Sequence, residues 1–207
     1  PGERRIVREL AHRVAEAAGA PRMPAIFQRW HDVNALRRPD RAPVWCRPVG
    51  AWREILPESS LRCQGRLARD IERQFRQTLF KVELGDDTPV SAGFDVPVVF
   101  DVAPANTWGV DVARRSTGQP GGAWAFDPPL KSEADFDRLA MPRWTPNLAA
   151  TNRALNAVGD LFDDILPVRA VCRPAFDNAT LGHLAADLRG LENMLMDMID
   201  RPRLMHR

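Results

Sequence analysis

The sequence predicts an α/β protein built from strand–loop–helix units around a parallel sheet. Short apolar runs alternate with amphipathic helical segments along the chain, an order that layers helices over parallel strands with right-handed crossovers. The run Val96-Pro97-Val98-Val99-Phe100 is apolar without alternation, as suits a strand covered on both faces. Polar residues gather just after each apolar run: Arg47 after the first, Asp101 after the second, Arg173 and Asp177 after the third. Ligands bind at the carboxyl ends of strands in folds of this class.

Arg4 to Ala18 reads as a helix, because Ile6, Val7, Leu10, Val14 and Ala17 recur at spacings of three and four before Gly19 and Pro21. A second short helix covers Ala25 to Leu36, and Pro39-Asp40-Arg41-Ala42-Pro43 is a turn-rich break. Val44-Trp45-Cys46 follows as a short buried strand, and Gly50 to Ser60 as a loop with one helical turn. Arg66 to Val82 is an amphipathic helix with the stripe Leu67, Ile71, Phe75, Leu79 and Val82, ended by Gly85. Asn106 to Pro129 is a Gly-, Pro- and Trp-rich excursion with a hairpin around residues 118–122. Ser132, with Asp135 in the capping-box position, starts a short helix that stops before Pro142. Leu148 to Leu161 is helical, Leu166 to Val171 is a third strand, and Leu181 to Ile199 is a last long helix whose methionines fill core. Pro202 opens what reads as one more. The organisation expected is a helical N-terminal extension over residues 1–42 and a larger α/β part over residues 43–207.

Composition bounds the function. The chain has 207 residues, 44% apolar and 27% charged, values typical of a globular protein with a real core. No apolar run approaches the roughly 18 residues of a membrane span, and the polar start Pro1-Gly2-Glu3-Arg4-Arg5 has no signal-peptide pattern. Cys46, Cys63 and Cys172 are odd in number, widely spaced and at no metal-ligand spacing, so the reading is a reduced, cytoplasmic protein. Residues 1–80 carry a net charge of +7 and residues 81–207 a net of −5, which together give the overall +2. The arginines are spread through periodic segments rather than clustered, so neither nucleic acid nor a membrane is the expected partner. No dinucleotide, phosphate-loop, nucleophile-elbow or HExxH motif occurs, and there is no Tyr.

The candidate residues are those placed after apolar runs. Asp101 reads either as a site carboxylate carried to the sheet rim or as the cap of the next turn. Arg47, near Trp45 and Trp52, suits a ligand carboxylate or phosphate through its planar fork, or else pairs with Glu54 or Glu58. Arg173, Phe176, Asp177 and Asn178 form the third such loop. His183, near the start of the last helix, either faces a site or packs. Trp108, Trp124 and Trp144 line a pocket for a flat ligand or fill core under the long loop.

Several segments together resemble the uroporphyrinogen decarboxylase superfamily. They are Pro43-Val44-Trp45-Cys46-Arg47-Pro48-Val49-Gly50 with Trp52 and Leu56-Pro57-Glu58; Val98-Val99-Phe100-Asp101-Val102 with Trp108-Gly109-Val110-Asp111-Val112; Glu133 to Leu139; and Leu166-Pro167-Val168 with Leu188 to Glu192 and Asp197 to His206. The resemblance implies a (β/α)₈ TIM barrel, present as roughly its N-terminal half. It implies that Asp101 accepts hydrogen bonds from converging pyrrole N–H groups and stabilises the protonated pyrrole. Arg47, with Trp52, Arg173, Phe176 and Asp177, would hold the substrate and its carboxylates. The chain departs from the decarboxylase pattern in the spacing of its second Arg, in Asp101 following Phe100 directly, and in having no Tyr.

The expected activity is decarboxylation of a tetrapyrrole-type substrate without a cofactor in this half. The alternative within the superfamily is a corrinoid- and zinc-dependent methyltransferase acting on a methylated substrate, whose zinc ligands would lie in the second half. A non-catalytic α/β binding module is the alternative outside it. A (β/α)₈ barrel takes about 250 residues, so 207 residues with three strands imply an open sheet edge. That edge is expected to pair with another copy or with the missing C-terminal half.

Overall fold

A computed structural model describes residues 2–106, 108–116, 118, 124–172 and 181–206. The chain divides into two compact units, Pro1–Pro97 with Ala149–Val171, and Val98–Leu148 with Cys172–Arg207.

The first unit is mostly helical. Helix α1 (Gly2–Ala18) buries Val7, Leu10, Ala11, Val14 and Ala17, and α2 (Met23–Asn34) buries Met23 and Ile26. A single turn, α3 (Trp52–Ile55), precedes α4 (Arg66–Leu84). Helix α4 buries Ala68, Ile71, Phe75 and Leu79 and ends at Gly85, whose φ of 78° is the left-handed cap that only Gly adopts freely. Helices α1 and α4 pack against each other. Strand β1 (Phe94–Pro97) pairs in parallel with β6 (Val168–Val171), Phe94 opposite Val168. Helix α5 (Leu148–Phe162) closes the core with Val158 and Phe162. Phe75, Phe94 and Phe162 meet edge to face with centroids 5.3–5.6 Å apart, the geometry that aromatic quadrupoles favour.

The second unit holds two antiparallel pairs. Strand β2 (Phe100–Ala103) pairs with β5 (Arg143–Pro146), and β3 (Ala113–Ser116) with β4 (Trp124–Asp127). The β3–β4 pair is the expected hairpin. Ser132 and Asp135 form the expected capping box, on a 3₁₀ turn over Glu133–Arg138. Helices α6 (Leu181–Arg189) and α7 (Leu191–Asp200) follow.

The expected TIM barrel is not formed. Among the described residues there are six strands of four residues each, in three two-stranded sheets, and only β1–β6 is parallel. The α/β class holds and the barrel does not. Three local reasons account for this. The apolar run 96–100 breaks at Val98–Val99, so β1 and β2 join different sheets. Asp101 therefore lies inside β2, opposite Thr145, rather than after a strand. Residues 44–46 form no strand, because the N–H groups of Val44 and Cys46 go to the side chains of Asp87 and Asp86.

The last long helix is likewise two. Gly190 breaks it with φ 86°, and Met196 and Met198 are exposed rather than core. The buried member of α7 is Asp197, which accepts from Arg189 Nε at 2.7 Å, while Arg189 Nη1 donates to the carbonyls of Leu130 and Lys131. Substituting Gly190→Ala is expected to cost about 1–3 kcal/mol. The backbone there is left-handed, and a Cβ would stand 3.1 Å from Pro128 Cγ. Thermal unfolding followed by circular dichroism measures it, and an unchanged midpoint would refute it.

Candidate functional site

The first unit carries a cleft of about 400 Å³ between α4 and residues 45–52, within the usual size range of small-molecule sites. Its lining includes Trp45, Arg47, Trp52, Gln77 and Lys81. Two of the expected substrate-binding residues, Arg47 and Trp52, thus meet in one place.

The segment that carries Trp45 and Arg47 is a strap held by two consecutive carboxylates at the end of α4. Asp87 accepts from both terminal nitrogens of Arg41 (2.6 and 2.7 Å), from Arg29 Nη1 (2.7 Å) and from the Val44 N–H (2.8 Å). Asp87 N–H in turn donates to the Val44 carbonyl. Asp86 accepts from Cys46 N–H (3.0 Å), from Thr88 N–H (2.9 Å) and from the Lys81 ammonium (3.2 Å). The Arg41 guanidinium, with Val44 N–H and Arg29, holds Asp87 below the usual carboxylate range. Burial would raise Asp86, but the N–H groups of Thr88 and Cys46 and the Lys81 ammonium hold it low. Both stay ionised and keep the strap in register.

On this strap the Arg47 guanidinium carbon lies over the Trp45 ring, 4.9 Å from its centroid, and Lys81 Nζ lies 5.2 Å from the same centroid. Trp45 also meets Trp30 edge to face at 6.3 Å, and Trp52 meets Phe80 at 5.6 Å. The pairing of Arg47 with Glu54 or Glu58 is not made. Glu58 is taken by Arg69 and Arg73, each at 3.0 Å, and among the described residues no carboxylate lies in ion-pair contact with Arg47. Arg47 is an exposed cation whose guanidinium has no hydrogen-bond partner among the described residues, while the Lys81 charge is balanced by Asp86.

Asp101 belongs to the second unit. It is exposed, and Asn147 Nδ2 donates to both of its oxygens at 3.2 Å. Asn147 N–H donates to the Val99 carbonyl, so the Asp101–Asn147 contact sits at the end of the β2–β5 pair. Trp144 meets Phe100 edge to face at 6.3 Å on the same pair. His183 is exposed. Arg173, Phe176, Asp177 and Asn178 lie outside the described residues, as do residues 119–122 of the expected hairpin turn. Cys63 is buried, and its thiol is pushed up to about 12 by burial and by the neighbouring Glu72 carboxylate, so it is a neutral, inert thiol.

Lys81 and Asp86 are the residues that reading the sequence missed. Lys81 is one of two lysines in the chain and stands on the polar flank of the α4 stripe, where a cation is ordinarily solvated. The pair Asp86-Asp87, directly after a helix-ending Gly85, is the signal that could have found the strap.

Among the described residues no group of three or more His, Cys, Asp or Glu side chains is placed to hold a metal ion, and no helix is long and apolar enough to cross a membrane. No protein-family model, curated protein or solved structure matches the chain.

Proposed function

We propose that the protein acts on a tetrapyrrole-type substrate bearing carboxylates and removes a carboxylate as CO₂. The observation that carries this reading is the Arg47 guanidinium. Among the described residues it has no carboxylate partner, and it stands over Trp45 in a cleft that also holds Trp52. A planar fork with free donors fits a carboxylate through two parallel bonds, and the tryptophans offer apolar surface to a flat ring.

In the reaction, a proton added to a pyrrole carbon makes the ring cationic. The bond from the acetate methylene to its carboxyl carbon then breaks, CO₂ leaves, and the electron pair neutralises the ring. A second proton completes the methyl group as the ring carbon gives up the first, so the pyrrole is restored and one proton is consumed in all.

The test is binding of uroporphyrin, and of its octamethyl ester as the uncharged control, followed by quenching of tryptophan fluorescence. The acid is expected to bind and the ester is not. Arg47→Ala is expected to weaken binding about 10- to 100-fold, the value of one charge-assisted hydrogen-bonding pair. Equal binding of acid and ester, or an unaffected Arg47→Ala variant, would refute the carboxylate assignment.

A further inference from the structure

We infer that Trp45 is a positioning residue that presents Arg47 to the ligand, and that the Asp86–Lys81 pair holds Trp45 for this purpose. The inference rests on the reading of the cleft as a carboxylate site.

A long side chain on an exposed strap loses rotamer freedom when it grips a ligand, and that loss weakens binding. Arg47 escapes part of it, because its guanidinium already lies over the indole ring at 4.9 Å. Attraction to an aromatic ring uses the positive charge and asks for no hydrogen-bond donor. The guanidinium donors therefore remain for a carboxylate.

The ring that orients Arg47 must itself be fixed, although Trp45 is 53% exposed. One carboxylate supplies two constraints. Asp86 accepts the N–H of Cys46, the residue between Trp45 and Arg47, at 3.0 Å. It also tethers Lys81, whose ammonium lies over the Trp45 ring at 5.2 Å. Trp30 adds an edge contact at 6.3 Å. Backbone and ring are thus held from the same acid.

This arrangement also sets the charge the cleft reads. Lys81 is balanced by Asp86, so the excess is one positive charge, on Arg47. A ligand that matches it offers one carboxylate at this point, beside a flat ring. Among the described residues that line the cleft, a second carboxylate would meet no free cation.

A double-mutant cycle tests the inference. Binding of uroporphyrin is measured for the wild type, Trp45→Leu, Arg47→Ala and the double variant. Trp45→Leu is expected to weaken binding about fivefold in the wild type, and by less than twofold once Arg47 is Ala. Trp45→Phe, which keeps an aromatic face, is expected to recover most of the loss. An equal loss in both backgrounds means that Trp45 acts by its own contact or through folding, and overturns the inference. So does no loss in the wild-type background.

A ligand-free readout separates the two readings. In NMR spectra of the free protein, the Arg47 δ-methylene protons are expected to show an upfield ring-current shift. That shift is expected to vanish in Trp45→Leu and to shrink in Lys81→Met. A wild type that shows the shift but binds no uroporphyrin would overturn the carboxylate reading and leave Trp45 positioning Arg47. A wild type without the shift would overturn the positioning role whatever it binds.

Discussion

Replacing Glu72 by Ala is expected to remove about 3–5 kcal/mol from the stability of the first unit. Glu72 is fully buried on α4. Its oxygens accept from the backbone N–H of Cys63 at 2.7 Å, from that of Arg62 at 2.9 and 3.1 Å, and from Arg76 Nε at 2.8 Å. Ala would leave buried amides without an acceptor, each costing about 1–3 kcal/mol, and an empty volume beside Cys63. Arg76 is 28% exposed and can turn to water, so little of the loss comes from it. Glu72→Gln keeps one oxygen acceptor and is expected to cost about half as much. Urea unfolding with an unchanged m-value measures both, and a loss below about 1 kcal/mol for Glu72→Ala would contradict the assignment.

The same group gives the stability a pH dependence. Burial alone would raise the Glu72 pKa, but the N–H groups of Cys63 and Arg62 and the Arg76 guanidinium hold it below the ordinary glutamate value. A carboxyl that is more acidic folded than unfolded stabilises the protein at neutral pH. That contribution falls away as the solution is acidified through the ordinary range and then through the folded pKa. Glu72→Gln is expected to flatten this acid limb of the stability curve. A limb unchanged in the variant would show that other carboxylates produce it.

What the sequence disclosed was its local information. The α1 and α4 stripes, the left-handed cap at Gly85, the Ser132–Asp135 box and the β3–β4 hairpin are each specified within a few residues, by spacing or by a side chain near its own backbone. What stayed hidden is set at long range. Nothing between Val96 and Phe100 marks a break, because the break comes from β1 pairing with residues 168–171 and β2 with residues 143–146. Val44-Trp45-Cys46 has a strand's composition, but its amides are claimed by acids some forty positions away. In α7 the apolar spacing predicted a core face, yet the inward residue is Asp197, because the buried guanidinium of Arg189 requires an anion beside it. The site follows the same pattern. Arg47 and Trp52 were legible from their place after an apolar run. Lys81 was not, since its use depends on Asp86 and Trp45 lying across the cleft.

Asp87→Ala is expected to destabilise the first unit by about 3 kcal/mol and to weaken carboxylate binding at the cleft by up to the roughly 10- to 100-fold expected of Arg47→Ala. Asp87 is 2% exposed. It joins Arg29 on α2, Arg41 before the strap and the Val44 amide on it. Arg29 keeps Asp40, through Nε at 2.8 Å and Nη2 at 2.7 Å, so its charge is not orphaned, which holds the cost below that of a bare buried ion. What is lost is the tie between helix and strap. Among the described residues, residues 41–44 then keep the Asp87 N–H to Val44 carbonyl bond, and Trp45 and Arg47 are tied to Lys81 through Asp86 alone. Asp87→Asn is the sharper probe. Its amide oxygen can still accept from Val44 N–H but brings no charge to Arg41. Fold stability is therefore expected to recover in part while affinity for uroporphyrin stays low. Because the Arg41 guanidinium keeps Asp87 more acidic in the folded state, the strap's contribution to wild-type binding should persist through the ordinary aspartate range and decay only on acidification below it. Denaturation and titration of the two variants separate the effects. Full binding by Asp87→Asn would show that the strap is held by its backbone bonds alone, and that the charge on Asp87 serves only the fold.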